Sequence, residues 1–568
     1  MHEVSPGAAP IGGGARRLRR AFWVVLGLAT LVRLLFAVEV VGQRAGRERL
    51  PPLDMWMYRA EAELVLAGDW TLSGVPDLLA GSASTGVSGI LGTPEGRRQL
   101  RAAGERPLVD APAYPWLVAA SLRATGSTYP LLVLQVGASL LVTWLTFRLA
   151  RGVGLSQRAA LLAMTWVAFH PVGLFEAGFL QKTTLITLVL LLVALALARW
   201  LARPGPGSAL LLGAALGAVQ LTQGILPLLL PFVALGGALV GGPLRARTRD
   251  LALGSLTFLL VCAPLVARSQ VCGTSLLHNG QVPGWLVVIA NFRGADGLHL
   301  VQPPVEYTLA LTAGGQGALG ALLAAIGTHP TRGDWLWLML RKLQGFWSGY
   351  EAWNNTDFAR DRHLFRSLWL LPLSSWVLLA FGLLGLPAAA RRWRRLLPVW
   401  TGLLVVLAVC LLSFAFSRYR APAVPYLAIL AALGVERLGR PWAGPGPRAG
   451  VRGLVACLAS LVVCWPGTLA LGRRPGDPEL RGSVPEHLAC RDLAGIYARD
   501  DKPGLVRDLL VRAALGWPAD DLQAGARVHL QAYAACRALA DEAGARRVLA
   551  SARRLDPSGA LAAALERG

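Results

Sequence analysis

The stretch Arg16-Arg17-Leu18-Arg19-Arg20, followed without a break by Ala21-Phe22-Trp23-Val24-Val25-Leu26-Gly27-Leu28-Ala29-Thr30 and on to Gly42, decides the fold class. A run of roughly 20 apolar residues is what an α-helix needs to cross about 30 Å of hydrocarbon, and a basic cluster marks the end that stays inside. The run is too long, and too poor in a small-residue cleavage site, for an ordinary signal peptide; it is expected to be a retained anchor. Similar runs follow near 130–150, 157–176, 182–201, 207–222, 225–242, 250–267, 369–389, 397–416, 421–438 and 452–472. The expected fold is therefore an all-α polytopic membrane protein of about eleven transmembrane helices. Composition agrees: 54% of the 568 residues are hydrophobic and only 16% charged, more apolar sequence than a soluble core absorbs.

The net charge of +23 would suggest nucleic acid, but here its meaning depends on position. With Arg16 to Arg20 inside, the arginines at 148, 151 and 158, at 199 and 203, at 245, 247 and 249, at 391, 392, 394 and 395, and at 437, 440, 448 and 452 all fall on alternate, inside loops. That is the distribution membrane topology imposes, and no nucleic-acid partner is expected. The outside connections are then the uncharged Thr222-Gln223-Gly224 turn and two long loops, about 43–129 and 268–368. Eleven spans also place the tail outside.

Three parts follow: a basic cytoplasmic segment 1–20, a membrane domain 21–472, and a soluble helical domain 473–568 entered through Arg473-Arg474-Pro475-Gly476-Asp477-Pro478. Within the last, Asp520 to Ala540 and Gly544 to Leu555 have the character of a tetratricopeptide helix pair. Seven cysteines show no metal spacing; Cys262, Cys410, Cys457 and Cys464 are expected to pack as small hydrophobes, and Cys490 could pair with Cys536 if the tail is outside. Arg33 is the clearest charge inside a span and is expected to snorkel to the outer interface. Two loops of this length on one face point to soluble chemistry there, whereas a transporter keeps its ionisable and broken segments within the bilayer.

Asp54, in Leu53-Asp54-Met55-Trp56-Met57-Tyr58, lies just past the first span on the outer side, where a lipid-linked substrate presents its headgroup. From spacing alone, the carboxylate after Pro51-Pro52 also suits a helix N-cap. Further matching stretches run in order along the chain: Ala113-Tyr114-Pro115; Phe169-His170-Pro171 through Leu180; Gly213 to Pro231; Asn291 to Gly297; Trp347 to Asp357; and Ser417-Arg418-Tyr419-Arg420 to Pro425. In this order, over residues 54 to 430, the chain resembles GT-C superfamily glycosyltransferases, in the branch of protein O-mannosyltransferases and lipid A aminoarabinose transferases.

The resemblance implies transfer of a sugar from a polyprenyl phosphate to an acceptor on the periplasmic face of a bacterial inner membrane, with Asp54 at the position of the base. An oriented carboxylate would remove the proton from an attacking hydroxyl or amine. The leaving lipid phosphate is already a stable anion, so cations rather than a second carboxylic acid are required, and a single displacement would invert the anomeric centre. Candidates for phosphate binding are Arg418 and Arg420, unexpected on an outer loop, with Lys182. Arg341 and Lys342 are also candidates, at the end of the interfacial run Trp335-Leu336-Trp337-Leu338-Met339-Leu340, although these two could instead snorkel. Arg268 is expected to be a boundary residue.

Sugar or acceptor contacts are expected from Glu351 within Tyr350-Glu351-Ala352-Trp353-Asn354-Asn355, from Asn291 and Asp296, from Tyr58, and from Glu176. Glu176 could equally be a structural ion pair with Lys182, and Gly294-Ala295-Asp296-Gly297 is also a good turn. The chain departs from protein O-mannosyltransferases at Met55, where they carry a second acid, and at Gln223, where they carry Arg. With no Asp-x-Asp in the outer loops, no divalent metal or other cofactor is implied. Two other function classes remain open: a transporter or flippase, and a non-catalytic assembly protein of an envelope polysaccharide system using the C-terminal domain to dock a protein partner.

Overall fold

The hydrophobic runs become helices in the computed structural model, which describes residues 13–42, 53–74, 111–272, 285–299, 317–356, 358, 362, 365–442, 447–465, 503–517 and 522–567. Within these the chain is an all-α polytopic membrane protein. In chain order the helices of the amino-terminal half are α1 (Gly13–Gly42), α2 (Leu53–Leu66), α3 (Ala113–Thr125), α4 (Tyr129–Gly152), α5 (Gln157–Ala168), α6 (Pro171–Ala177), α7 (Thr183–Ala202), α8 (Pro206–Thr222), α9 (Leu226–Leu239), α10 (Leu244–Val261) and α11 (Ala263–Cys272). There follow α12 (Trp285–Asn291), α13 (Gly317–Gly327), α14 (Arg332–Trp347), α15 (Ser375–Arg391), α16 (Trp393–Leu412), α17 (Ser417–Arg420), α18 (Val424–Trp442) and α19 (Pro447–Cys464).

Five of the described helical stretches are long and apolar enough to cross a bilayer: Arg16–Gly42, Tyr129–Gly152, Thr183–Ala202, Trp393–Leu412 and Ser417–Leu438. The number rises to seven if each of two bent pairs is one span, α5 with α6 at 51° and α10 with α11 at 58°. The remaining expected runs coincide with the shorter apolar helices Pro206–Thr222, Leu226–Leu239, Ser375–Arg391 and Leu454–Cys464. The expected runs 157–176 and 250–267 are therefore each broken within their length. Pro171 forces His170 into an extended conformation (ψ 116°) and starts a new helix, and Pro264 lies in the first turn after the break at Cys262.

Helix contacts rely on small residues, as expected where lipid removes most of the hydrophobic drive for association. A Cβ added to Gly385 of α15 would come within 2.0 Å of the Leu430 carbonyl of α18, and one on Gly434 within 2.3 Å of the Phe381 carbonyl. The Gly213–Gly254 approach joins α8 to α10 in the same way. The main core unites α4, α5, α7, α15, α16 and α18 through residues such as Leu149, Ala160, Leu191, Val399 and Leu430. A second core, with Phe36, Tyr58, Tyr114, Phe175 and Phe365, gathers α1, α2, α3 and α6. Trp23, Leu31, Leu34 and Val38 of α1 remain exposed, an apolar face suited to lipid.

Arg33 does not snorkel. It is 4% exposed and turns inward, donating to Ser139 Oγ (3.0 Å), Thr143 Oγ1 (3.1 Å) and the carbonyls of Ala29 and Ala168, so it pins α1 to α4 and α5. A lone arginine in a hydrophobic run reveals its charge but not the face it occupies, and four buried acceptors on that face outweigh the pull of the interface. Arg268 is likewise more than a boundary residue: buried, it donates from Nε to the Thr71 carbonyl at 2.6 Å and fastens α11 to the loop that follows α2. In that loop Asp69 accepts from Thr71, Ser73 and the Gly74 amide, closing a tight turn after α2.

Beyond the membrane domain, α20 (Pro503–Leu515), α21 (Leu522–Ala538), α22 (Glu542–Leu555) and α23 (Ala560–Arg567) pack around Leu509, Ala513, Val528, Ala532 and Val548. Asp541 caps α22 by accepting from the Gly544 amide at 2.9 Å. Cys536 is a buried free thiol in this core; Cys490 lies outside the described residues.

Candidate functional site

Asp54 sits in the first turn of α2, where the helix dipole favours a carboxylate, and its partners come from far along the chain. Arg418 Nη1 of α17 donates to Asp54 Oδ2 at 2.5 Å across 364 positions, and the Asn355 amide lies beside the same carboxylate. Burial raises the Asp54 pKa, but the Arg418 charge and hydrogen bond, the neighbouring Asn355 amide and the Lys182 charge together hold it below the ordinary carboxylate range. The group is therefore ionised at neutral pH, and with 27% of its side chain exposed it remains reachable. Arg418 also lies over the Tyr419 ring at 4.9 Å, while its buried Nε–H has no hydrogen-bond partner.

Around this pair stand Lys182 and Tyr58. The Lys182 ammonium is 5.9 Å from the centre of the Tyr58 ring, which meets Tyr114 edge-on at 4.8 Å. Tyr114 donates to Gln135 Oε1 at 2.6 Å, and Gln135 Nε2 donates to the carbonyls of Ala177 and Phe179. This relay ties α2 and α3 to the turn that carries Glu176. Glu176 is 2% exposed, with the side chains of Thr183 and Thr356 and the Arg418 charge near its carboxylate; its Oε2 has no hydrogen-bond partner.

A second group lies on the inward side of α17. Glu351 accepts from Ser375 Oγ and Ser417 Oγ and forms an ion pair with Arg420 at 2.8 Å. Burial raises the Glu351 pKa, but Arg420, the two hydroxyls and the field of His170 bring it below the ordinary range, so it too is ionised. Arg420 further donates to the carbonyls of Gly345, Phe346, Ser348 and Tyr350, which locks the 345–351 segment to α17. His170 Nε2 is 3.0 Å from Ser375 Oγ. Because Ser375 gives its single proton to Glu351, His170 Nε2 must be the donor in that contact. Both carboxylate oxygens of Glu351 and most of the Arg420 fork are thus engaged within the protein.

The third group is also internal. Lys342 Nζ donates to Asn291 Oδ1 (2.9 Å) and the Leu411 carbonyl (2.8 Å), and Asn291 Nδ2 donates to the carbonyls of Val287 and Leu412. These bonds join α12, α14 and the end of α16. Asp296 caps the Leu298 and His299 amides and holds His299 Nδ1 at 2.8 Å; burial raises its pKa, but these bonds lower it overall. His299 Nε2 reaches Tyr350 Oη at 3.0 Å. On α14, Leu336 and Leu340 face outward while Arg341 and Lys342 are buried, so neither cation snorkels: the exposed face is apolar and both cations turn into the protein.

The structure thus brings Asp54, Arg418, Lys182, Tyr58 and Glu176 to one locality, sets Glu351 and Arg420 behind it, and turns Asn291, Asp296 and Lys342 toward one another. Sequence reasoning did not single out Asn355, Thr183, Thr356, Ser375 or Ser417. Asn355 and Ser417 lie inside stretches quoted for the resemblance, but nothing in their spacing told which carboxylate they would meet. Among the described residues no group of three or more His, Cys, Asp or Glu is placed to hold a metal ion.

No known protein-family profile matches the chain, and no curated protein sequence matches it. Among solved structures, the fold is similar to ArnT from Cupriavidus metallidurans bound to undecaprenyl phosphate, at 16% identity over 96% of this chain and 76% of that chain, with a TM-score of 0.40. It is also similar to the Archaeoglobus fulgidus oligosaccharyltransferase tethered with an acceptor peptide, at 14% identity over 71% of this chain and 50% of that chain (TM-score 0.34). For AglB from the same organism, in complex with an inhibitory peptide and a dolichol-phosphate, the values are 15%, 72%, 52% and 0.33. The chain spans about half the length of these oligosaccharyltransferase chains.

Proposed function

We propose that the protein is an integral-membrane glycosyltransferase that moves a sugar from a polyprenyl-phosphate donor to an acceptor on the outer face of the membrane. The observation that carries this reading is the Asp54–Arg418 pair: an ionised, reachable carboxylate bound to one edge of a guanidinium whose Nε–H is still unsatisfied. In the proposed reaction Asp54 takes the proton of the acceptor hydroxyl or amine as it attacks the anomeric carbon, while the sugar–phosphate bond breaks on the opposite side and inverts that centre. Arg418 through Nε, with Lys182, stabilises the charge gathering on the departing phosphate. Glu176, nearly buried beside Arg418, contacts the sugar. Glu351 and Arg420 hold α17 in place rather than touching the substrate, and Lys342, Asn291 and Asp296 brace the outer loops.

The finer topology belongs to the same proposal: eleven spans, the Asp54 face periplasmic in a bacterial inner membrane, and the C-terminal helices a tetratricopeptide-like unit outside, available to a protein partner. A transporter or flippase is the second reading, favoured by the two bent helix pairs, since broken helices are the usual substrate sites of such proteins. The test is incubation of purified protein with labelled polyprenyl-phosphate sugars and envelope acceptors. Asp54→Asn should lower transfer by about 10²- to 10⁴-fold while leaving the protein folded. Equal transfer by Asp54→Asn removes the base assignment, and lipid-sugar translocation without transfer favours the second reading.

A further inference from the structure

The connection between α15 and α16 lies at the far ends of these helices from Ser375 and Leu412, which border the groups described above. The 17 residues of α15 alone put it roughly 25 Å away. There the chain reads Arg391-Arg392-Trp393-Arg394-Arg395. With Trp393 and the turn at 153–155, the four arginines line an open cavity of about 590 Å³. Among the described residues none of the four forms an ion pair. An adjoining hollow of about 120 Å³ contains one carboxylate, Glu436, among Arg391, Arg392 and Arg437, and Glu436 already accepts from Ser156 Oγ at 2.6 Å.

Positive charge at the inner end of a span is ordinary, but topology asks only for charge in the loop, not for four unpaired guanidiniums around one cavity. Two of them, Arg394 and Arg395, stand in the first turn of α16, where the helix dipole repels cations and no acidic residue offsets them. An anion in the cavity relieves both the mutual repulsion and the unfavourable helix end. Its chemical class follows from location. Trp393–Leu412 is one of the helices long and apolar enough to span a bilayer, so its first turn is at headgroup depth; Trp393 is 40% exposed and has the Arg394 guanidinium 5.5 Å from its ring. An exposed tryptophan beside arginines at that depth is the arrangement that anchors to phospholipid.

We propose that the Arg391–Arg395 cavity binds the phosphodiester headgroup of an anionic phospholipid. The site is separate from Asp54 and stands or falls independently of the transferase reading. To test it, purified protein in neutral detergent is titrated with short-chain phosphatidylglycerol, with phosphatidylcholine of the same chains, and with inorganic phosphate, while thermal unfolding is followed. Phosphatidylglycerol should raise the melting temperature and phosphatidylcholine should not. Each double variant, Arg391→Gln with Arg392→Gln or Arg394→Gln with Arg395→Gln, should weaken the apparent affinity about 25-fold, at about fivefold per arginine. An equal response in the variants, or to phosphatidylcholine, overturns the proposal; inorganic phosphate matching phosphatidylglycerol overturns its assignment to lipid. If the variants do not fold, wild type is labelled with a photoactivatable phosphatidylglycerol carrying the reactive group near its phosphate. Adducts at 391–396 or 153–155 support the site, and adducts elsewhere refute it.

Discussion

Replacing Arg418 by Gln should cost both stability and activity, and the two losses have different pH signatures. The Arg418–Asp54 contact is 2.5 Å long between side chains that are 11% and 27% exposed. It therefore falls between an exposed ion pair, worth at most about 1 kcal/mol, and a buried one, where removing a partner costs roughly 3–5 kcal/mol. A loss of about 2–3 kcal/mol is expected at neutral pH, because Asp54 keeps Asn355 and the field of Lys182 but loses its closest cation. The sign with pH follows from the depressed carboxyl: its contribution is complete above the ordinary Asp range and is lost as pH falls through the lower folded value. Without Arg418 the folded value rises, so wild type and variant converge at acid pH. For transfer, loss of a cation facing the leaving phosphate should cost about 10²- to 10³-fold in kcat. The acid limb of kcat/KM should also move to higher pH, since more base is lost to protonation. Thermal unfolding from pH 3 to 8 and transfer rates over the same range provide the measurements. If Arg418→Gln melts with wild type at neutral pH and keeps the wild-type acid limb, the pair is not what holds Asp54 ionised.

Three further outcomes are expected. Glu351→Gln removes the buried partner of Arg420 and should destabilise by roughly 3–5 kcal/mol, read from the detergent-solubilised melting temperature, with a larger effect than any single substitution at exposed Glu63. Gly385→Val should prevent close packing of α15 on α18, since even a Cβ there meets the Leu430 carbonyl at 2.0 Å; a drop in folded yield by fluorescence-detected size exclusion is the readout, and a normal elution peak with unchanged melting would contradict it. A periplasm-dependent reporter fused after Gly568 should be active if eleven spans place the tail outside, whereas activity of a cytoplasm-dependent reporter there would refute the odd span count.

The hydrophobic runs were legible because a bilayer imposes a length and polarity that local sequence must satisfy, and each expected run coincides over most of its described residues with helix. The breaks at His170 and Cys262 were not, because averaging over a span hides one proline that redirects the chain. Asp54 and Arg418 were each conspicuous alone, one as an acid past the first span and the other as an arginine on the wrong side for topology. That they meet was not readable, since 364 residues separate them and helix order in the bundle is a property of packing. Arg33 and Lys342 show the same limit from the other direction. Arg33 was expected to reach for the interface, and Lys342 either to bind phosphate or to do the same, yet neighbouring helices supply enough hydroxyl and carbonyl acceptors to keep both inside.

The long reach of the Asp54–Arg418 contact also sets a schedule for biosynthesis. A ribosome delivers α2 long before α17, so for most of translation Asp54 has no guanidinium to meet. During that interval the carboxylate has an ordinary affinity for protons and no arginine beside it. Only after Ser417–Leu438 enters the membrane does the second half of the pair arrive. A chain cut short by a stalled ribosome or a protease would keep its amino-terminal helices in the membrane yet leave Asp54 without its partner.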